Sequence, residues 1–378
     1  MLVLTVVVIL VAVLSYVNGA NDNSKGVATL VGFGAATPRQ ALLWATITTA
    51  IGAAFSFAVA GGMIEAFKAK MFVAGMPVSS AFFVAVLIGA IGWVVCATYS
   101  GLPVSTTHAI VGGLVGAGLV AYGRQQVVWA FLGRSVAVPL VLGPVVSTLL
   151  VYLVAWPVVG LTRRYRDSCV CVEEREAVGV EALDGAGAAT RSSGPVMTIT
   201  TGNAAVCETS GAFVAVTSSK TANAIHWASG GLVGFARGWN DAPKMAALSI
   251  VALSVAKVSN PPAIGIAVVT VAMAFGGYLS GRKVLETLAK KLTPLPLAES
   301  LTASITTAAL VSAASWMSLP VSTTHVSTGA IVGAGLKNNP AAVKWAKVTE
   351  IVLSWVITLL VAGIIAAASM WGIELLAK

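Results

Sequence analysis

Residues 71–123 contain no Asp, Glu, Lys or Arg across 53 positions. A soluble fold rarely carries such a stretch, whereas a bilayer calls for it, since about 20 mostly apolar residues span the hydrocarbon core as one helix. This run is long enough for at least two crossings. Further uncharged runs occupy 40–64, 135–162, 258–281, 300–336 and 351–373, and 300–336 reads as two short crossings. Together they predict an all-α polytopic membrane protein with roughly ten to twelve crossing or re-entrant segments. Composition agrees, with 57% of the 378 residues hydrophobic, 10% charged and a mean hydropathy of +0.90, where soluble proteins average about 25% charged. The net charge of +9 then reflects helix-end lysines and arginines that orient the chain, not a nucleic-acid partner. The chain is apolar from Leu2 with no basic stretch before it, so a cleaved signal peptide is not expected.

Polar residues interrupt these runs at matching places. Leu102-Pro103-Val104-Ser105-Thr106-Thr107-His108 returns unchanged as Leu319-Pro320-Val321-Ser322-Thr323-Thr324-His325. Ser105 follows Asp22 of Asn21-Asp22 by 83 residues, and Ser322 follows Asp241 of Asn240-Asp241 by 81. The chain is therefore two related halves, 1–162 and 229–378, joined by a linker at 163–228. Each half is expected to cross an odd number of times, which makes the repeat an inverted one. Polar breaks at corresponding positions of two membrane halves point to a transport site.

The two motifs suggest complementary chemistry. Ser105 is a good N-cap for a helix that follows it, and the first N–H groups of that helix lack partners inside it. With Thr106 and Thr107 added, the helix start becomes a donor-rich socket for an oxyanion, and Ser322, Thr323 and Thr324 build a second. A single copy would read equally well as a helix cap whose hydroxyls bond back to the backbone. Asn21-Asp22-Asn23-Ser24-Lys25-Gly26 breaks the first apolar run, which suggests a broken helix. An unwound backbone at membrane depth must face protein, water or ligand. A membrane carboxylate is costly and functional by default. Beside an anion socket it makes sense if Asp22 and Asp241, with Asn21 and Asn240, hold a cation, Na⁺ favoured and H⁺ the other choice. The simpler reading pairs each Asp with the Lys three residues on, Lys25 or Lys244, and both can hold together. His108 and His325 sit one turn into their helices, where packing or hydrogen-bond support is the first expectation and proton handling the second.

The linker changes character. It holds seven of the 14 acidic residues and is rich in Gly, Ala, Ser and Thr, so it reads as a largely irregular tether. Its basic start, Arg163, Arg164 and Arg166, argues for a cytoplasmic side, as do Arg282, Lys283, Lys290 and Lys291 for their own loop. Cys96 lies in a membrane run, while Cys169, Cys171 and Cys207 lie in the linker. Their spacing fits no disulfide or zinc framework, and Cys169 and Cys171 read as an inert pair.

On Gly19-Ala20-Asn21-Asp22, Thr37-Pro38-Arg39-Gln40-Ala41, Gly238-Trp239-Asn240-Asp241-Ala242-Pro243-Lys244 and both Pro-Val-Ser-Thr-Thr-His copies, the chain resembles the inorganic phosphate transporter family of sodium- or proton-coupled symporters. The resemblance covers both halves and leaves out the linker. It implies an inverted-repeat fold, phosphate held at the Ser-Thr-Thr helix starts, cations near the Asn-Asp motifs and a cytoplasmic central loop in a cell-membrane protein. No cofactor beyond the coupling ion is expected, and a homo-oligomer is compatible with it. Trp239 stands where the first copy has Ala20, so the two cation sites need not be equal. A permease for sulfate or another tetrahedral oxyanion would use the same donors. An intramembrane hydrolase built on Ser105, His108 and Asp22 is a distant alternative, because a catalytic site needs no second copy. The chain has no phosphate-binding loop of the Gly-x-x-x-x-Gly-Lys-Ser/Thr type, which argues against ATP-driven pumping.

Overall fold

The computed structural model describes residues 2–68, 79–165, 167–176, 182–183, 189–190, 195–209 and 214–376. Arg166 and most of 177–194, part of the linker read above, lie outside the described residues. In chain order, α1 (Leu2–Asp22) passes through a 3₁₀ turn at Asn23–Gly26 into α2 (Ala28–Phe33). It is followed by α3 (Pro38–Val59), α4 (Gly61–Lys68), α5 (Ser80–Tyr99) and α6 (Thr106–Ala121). A single turn, α7 (Trp129–Phe131), leads through a π-helical stretch at Leu132–Ala137 into α8 (Val138–Arg164). After the linker come α10 (Ser218–Val255), α11 (Pro261–Ser280), α12 (Arg282–Lys290), α13 (Leu297–Trp316), α14 (Thr323–Asn338) and α15 (Trp345–Leu376). The linker itself contributes β1 (Ser168–Glu176), β2 (Ala182–Leu183), β3 (Ala189–Thr190), β4 (Pro195–Asn203), α9 (Ala204–Thr209) and β5 (Val214–Thr217).

Seven of the described helices are long and apolar enough to cross a bilayer: Leu4–Gly26, Pro38–Val59, Ser80–Tyr99, Val141–Arg164, Pro261–Ser280, Leu297–Trp316 and Trp345–Leu376. The expected ten to twelve included short segments. Of these, α6 and α14 have 16 residues each, less than the roughly 20 a crossing needs. α10 is long enough at 38 residues but carries Arg237, Asp241 and Lys244 in its middle. The chain is a polytopic helical membrane protein.

Local chemistry sets the helix starts. Thr37 and Gln40 form a reciprocal capping box ahead of α3, with Pro38 at its first position. Asn260 caps α11 in the same way ahead of Pro261, its side chain accepting from the Ala263 N–H. The broken helix expected after Asp22 is present as the 3₁₀ turn. Its counterpart in the second half is not broken, because α10 runs through Pro243 without interruption. A proline inside a membrane helix is tolerated where neighbouring groups satisfy the freed carbonyl.

Elements α1, α3, α4, α5, α6 and α8 recur in the same order as α10, α11, α12, α13, α14 and α15. The halves are not separate units: residues 1–156 and 226–378 form one compact unit. Glycines show how the halves interlock. A methyl at Gly276 of α11 would overlap the carbonyl oxygen of Tyr16 in α1, and a methyl at Gly52 of α3 would overlap that of Phe235 in α10. Tyr16 and Phe235 each stand six residues before their aspartate, so this is one contact made twice. Likewise Gly112 of α6 meets the Leu359 carbonyl of α15, and Gly329 of α14 meets the Pro144 carbonyl of α8. In all four, a helix of one half packs backbone-close on a helix of the other, as small residues allow in membranes.

The second unit, residues 157–225, corrects the expectation of an irregular linker. β1 pairs antiparallel with β4, from Ser168 opposite Asn203 to Glu176 opposite Pro195, and with β5, giving the order β4-β1-β5. Two-residue β2 and β3 pair with each other.

The interlock makes a matched prediction. Gly276→Ala and Gly52→Ala should each destabilise the protein by about 1–3 kcal/mol, the cost of overpacking, read as a lower thermal midpoint in detergent. Gly372→Ala, where nothing lies within 4 Å of the added methyl, should leave the midpoint unchanged or slightly raised.

Candidate functional site

The repeated heptapeptide builds one turn twice. At the end of α5, the Leu102 N–H donates to Ala97 O at 2.9 Å and the Gly101 N–H to Thr98 O at 3.0 Å. At the end of α13, the Leu319 N–H donates to Ala314 O at 2.8 Å and the Ser318 N–H to Ser315 O at 3.0 Å. These are paired helix-terminating bonds of the Schellman type, which need a left-handed residue. Gly101 supplies it at φ 70°, and Ser318 adopts it at φ 56°. The next helix then starts at once. Ser105 Oγ accepts from the His108 N–H at 3.2 Å, and Ser322 Oγ accepts from the His325 N–H at 3.3 Å. The serines are therefore caps. The N–H groups of Thr106, Thr107, Thr323 and Thr324 occupy the first helical positions and have no carbonyl of their own helix to bond.

Two lysines tie each aspartate to the opposite half. Lys25 Nζ donates to Asp22 Oδ1, to Val104 O at 3.1 Å and to Thr324 Oγ1. Lys244 Nζ donates to Asp241 Oδ1 at 3.2 Å, to Val321 O at 2.8 Å and to Thr107 Oγ1 at 2.9 Å. Thr324 in turn donates to Val104 O at 2.7 Å. Each lysine thus holds the aspartate three residues before it, a carbonyl of its own half's motif and a threonine hydroxyl of the opposite half's motif. The imidazoles meet as well: the His108 and His325 rings are 4.6 Å apart, and His325 stacks on Trp355 at 3.8 Å. This is the packing role expected first for the histidines. The Trp355 indole N–H reaches Pro103 O at 3.3 Å.

Asparagines pin the helix break to the motif. Asn21 Nδ2 donates to Leu102 O at 2.9 Å and Thr98 Oγ1 at 3.0 Å, while its Oδ1 accepts from the Val104 N–H at 3.1 Å. Asn240 Nδ2 donates to Val321 O at 3.2 Å. Ser24 Oγ reaches Asn21 O at 3.5 Å, and Asn23 Nδ2 bonds Thr46 Oγ1 at 2.8 Å. All the residues predicted for the site are buried and lie in this one cluster.

Sequence reasoning missed one pair in this cluster. Four residues before the aspartates stand Asn18 and Arg237, both with no exposed surface. Arg237 donates to Asn18 Oδ1 at 2.7 Å, and to Asn23 Oδ1 and Thr49 Oγ1 at 3.2 Å each. Asn18 Nδ2 donates to Asp22 Oδ2 at 3.1 Å and Thr106 Oγ1 at 3.0 Å. An arginine inside an otherwise apolar helix was the available signal. It gives the cluster three cations, Lys25, Lys244 and Arg237, against two carboxylates. The surplus positive charge suits an anion.

The halves differ at their carboxylates. Both oxygens of Asp22 accept hydrogen bonds, from Lys25 and Asn18. Among the described residues, Asp241 Oδ2 and Asn240 Oδ1 have no hydrogen-bond partner, and the former lies 3.6 Å from Arg237 Nε. Buried oxygens left unmatched are costly. Adjacent amide and carboxylate oxygens are also the donor set a hard cation takes. The hydrolase alternative gains nothing here, since Ser105 is a cap and the oxygens of Asp22 face Lys25 and Asn18.

Two substitutions test the geometry. Removing the guanidinium in Arg237→Met strands the acceptors of Asn18 and Asn23 and should cost about 3–5 kcal/mol, as for a broken buried ion pair. An unchanged thermal midpoint would contradict the network. Ser318→Gly should raise the midpoint by about 1 kcal/mol equivalent, because it relieves a left-handed L-residue, while Gly101→Ala should lower it.

Comparison with known proteins adds the family. A profile described as the phosphate transporter family matches residues 18–366. A Mycobacterium tuberculosis protein (strain H37Rv), named a probable low-affinity inorganic phosphate transporter, is 28% identical over 369 residues, or 96% of this chain and 76% of its own. A Pyrococcus furiosus protein named as a phosphate permease is 30% identical over 395 residues, covering 96% and 94%. The fold also matches a solved structure described as "The sodium-dependent phosphate transporter", with a TM-score of 0.76 at 23% identity over 99% of this chain and 100% of that one. The profile takes in both Asn-Asp pairs and both Ser-Thr-Thr helix starts, and the chain belongs to the phosphate transporter family.

Proposed function

We propose that the chain is a secondary transporter of the cell membrane that imports inorganic phosphate with a cation, Na⁺ rather than H⁺. The observation that carries the reading is the crossed lysine bridge, Lys25 to Thr324 and Lys244 to Thr107. It sets two helix starts and two ammonium groups from different halves around one point. A bound anion takes over what the lysines and threonines now give each other. It adds the free N–H groups and positive ends of α6 and α14. Relatives named as phosphate transporters or permeases support phosphate over sulfate.

The cation reading rests on Asn240 Oδ1 and Asp241 Oδ2, which accept no hydrogen bond among the described residues and are oxygen ligands of the kind a hard cation such as Na⁺ takes. In the first half, Asp22 and Asn21 offer the same atoms once Lys25, Asn18 and the Val104 N–H let go, which makes that site the weaker of the two. The name of the structural neighbour is consistent with sodium. Inverted topology is supported by the reciprocal interlock, in which the Gly276–Tyr16 and Gly112–Leu359 contacts have their matches at Gly52–Phe235 and Gly329–Pro144. The basic residues Arg163, Arg164, Arg282 and Lys283 favour a cytoplasmic side for the 163–228 linker and for the α11–α12 junction.

Uptake of radiolabelled phosphate into proteoliposomes, with Na⁺ and pH gradients imposed separately, tests the proposal. The parent should respond to Na⁺ at fixed pH. Asp241→Asn should remove that dependence, and Asp22→Asn should weaken it. A parent driven by the pH gradient alone would overturn the choice of ion, and unchanged Na⁺ dependence in both variants would overturn the site. Thr107→Ala and Thr324→Ala should each weaken phosphate affinity roughly tenfold to a hundredfold, since a hydrogen bond to a charged group is worth about 1.5–3 kcal/mol.

A further inference from the structure

We infer that the 157–225 unit holds one thiophilic d¹⁰ cation, Zn²⁺ or Cu⁺, on the sulfurs of Cys169, Cys171 and Cys207. The two β1 cysteines are two residues apart on a strand, so both point to one face, and their sulfurs stand 3.4 Å apart. Helix α9 follows β4 directly and lays Cys207 over that face. Its Cα lies 6.5 Å from that of Cys169 and 5.9 Å from that of Cys171, and its sulfur contacts both. The three sulfurs lie within 4.8 Å of one another, and their residues are 2–3% exposed.

Two physical points favour a cation over a disulfide. A disulfide uses two sulfurs, so pairing Cys207 with either neighbour leaves a third thiol buried beside the bond. Around a cation all three are used. Thiolates at the usual 2.3 Å from a tetrahedral zinc stand about 3.8 Å apart, close to the 3.4 Å between Cys169 and Cys171; Cys207, which lies at bonding distance of both, draws back to the same spacing around the ion. Three thiolates also complete a trigonal shell for Cu⁺, or leave Zn²⁺ one further position. The second point is the core. Among the described residues, the buried cluster of this unit is the three cysteines, with Ala204 packed against them. The opposite face of the sheet exposes Val170, Ile199 and Val216. A unit this small, with no buried aliphatic cluster among its described residues, needs a covalent or metal cross-link, and the free energy of cation binding then becomes folding free energy.

The experiment uses the full chain, purified in detergent with a phosphine reductant, stripped of metal and titrated with Zn²⁺ and with Cu⁺ against chromophoric chelators. One equivalent of either cation per chain is expected, with slowed amide exchange in β1, β4 and β5 on binding. Cys207→Ser should weaken the affinity by about 100-fold or more, since loss of even an outer-shell partner costs 10- to 100-fold. Cys96→Ser, outside the unit, should not. The inference is overturned if the reduced parent binds neither cation, or if Cys207→Ser binds as tightly as the parent. Recovery of Cys207 in a disulfide with Cys169 or Cys171, from cells lysed into alkylating agent, would overturn it equally.

Discussion

Five charges sit where a bilayer offers nothing to solvate them, and the structure around them is arranged to keep each one paired. Taking an unpaired ion out of water costs several kcal/mol even after relaxation. Lys25, Lys244 and Arg237 therefore answer Asp22 and Asp241 with carbonyl, amide and hydroxyl oxygens supplied from both halves. The two heptapeptide turns supply backbone oxygens, those of Val104 and Val321, that ordinary helices keep for themselves. Because each lysine reaches the opposite half's helix start, neither half can settle its own charges alone.

The interlock of helices follows from the same requirement. Bringing α6 and α14 close enough to share lysines requires their partners to pack at backbone distance, and glycine at matched positions allows it. The pair is not a perfect copy. Asn18 faces Arg237, and among the described residues Asn240 Oδ1 and Asp241 Oδ2 accept no hydrogen bond where the oxygens of Asn21-Asp22 are satisfied. Such asymmetry inside a repeated frame gives the two carboxylates different surroundings.

Much of the site was legible because duplication marked it. The heptapeptide, its N-capping serines and the Asn-Asp break could be placed by spacing and by helix-end chemistry. Arg237 was not, since its counterpart is Asn18 and no repeat drew attention to it, although a lone arginine four residues before an intramembrane aspartate was a signal in plain view. Continuity of α10 through Pro243 was also hidden, because the neighbours that make a membrane proline tolerable are tertiary. The β-sheet of the linker was masked by its Gly, Ala, Ser and Thr content. Its alternation of apolar and polar residues from Met197 to Thr200, and of Cys with Val from Cys169 to Val172, carried the strand period nonetheless. That three distant cysteines would meet depended on the pairing of β1 with β4, which no local pattern specifies.

The central claim is that the anion replaces the crossed lysine–threonine bridges. It is tested most directly by locating arsenate, a heavier isostere of phosphate, in the protein by diffraction at the arsenic edge. The account predicts one arsenic peak between the Thr106-Thr107 and Thr323-Thr324 helix starts, with Lys25 and Lys244 turned onto its oxygens. A peak elsewhere in the membrane unit, with both lysine–threonine bridges still formed, would contradict it.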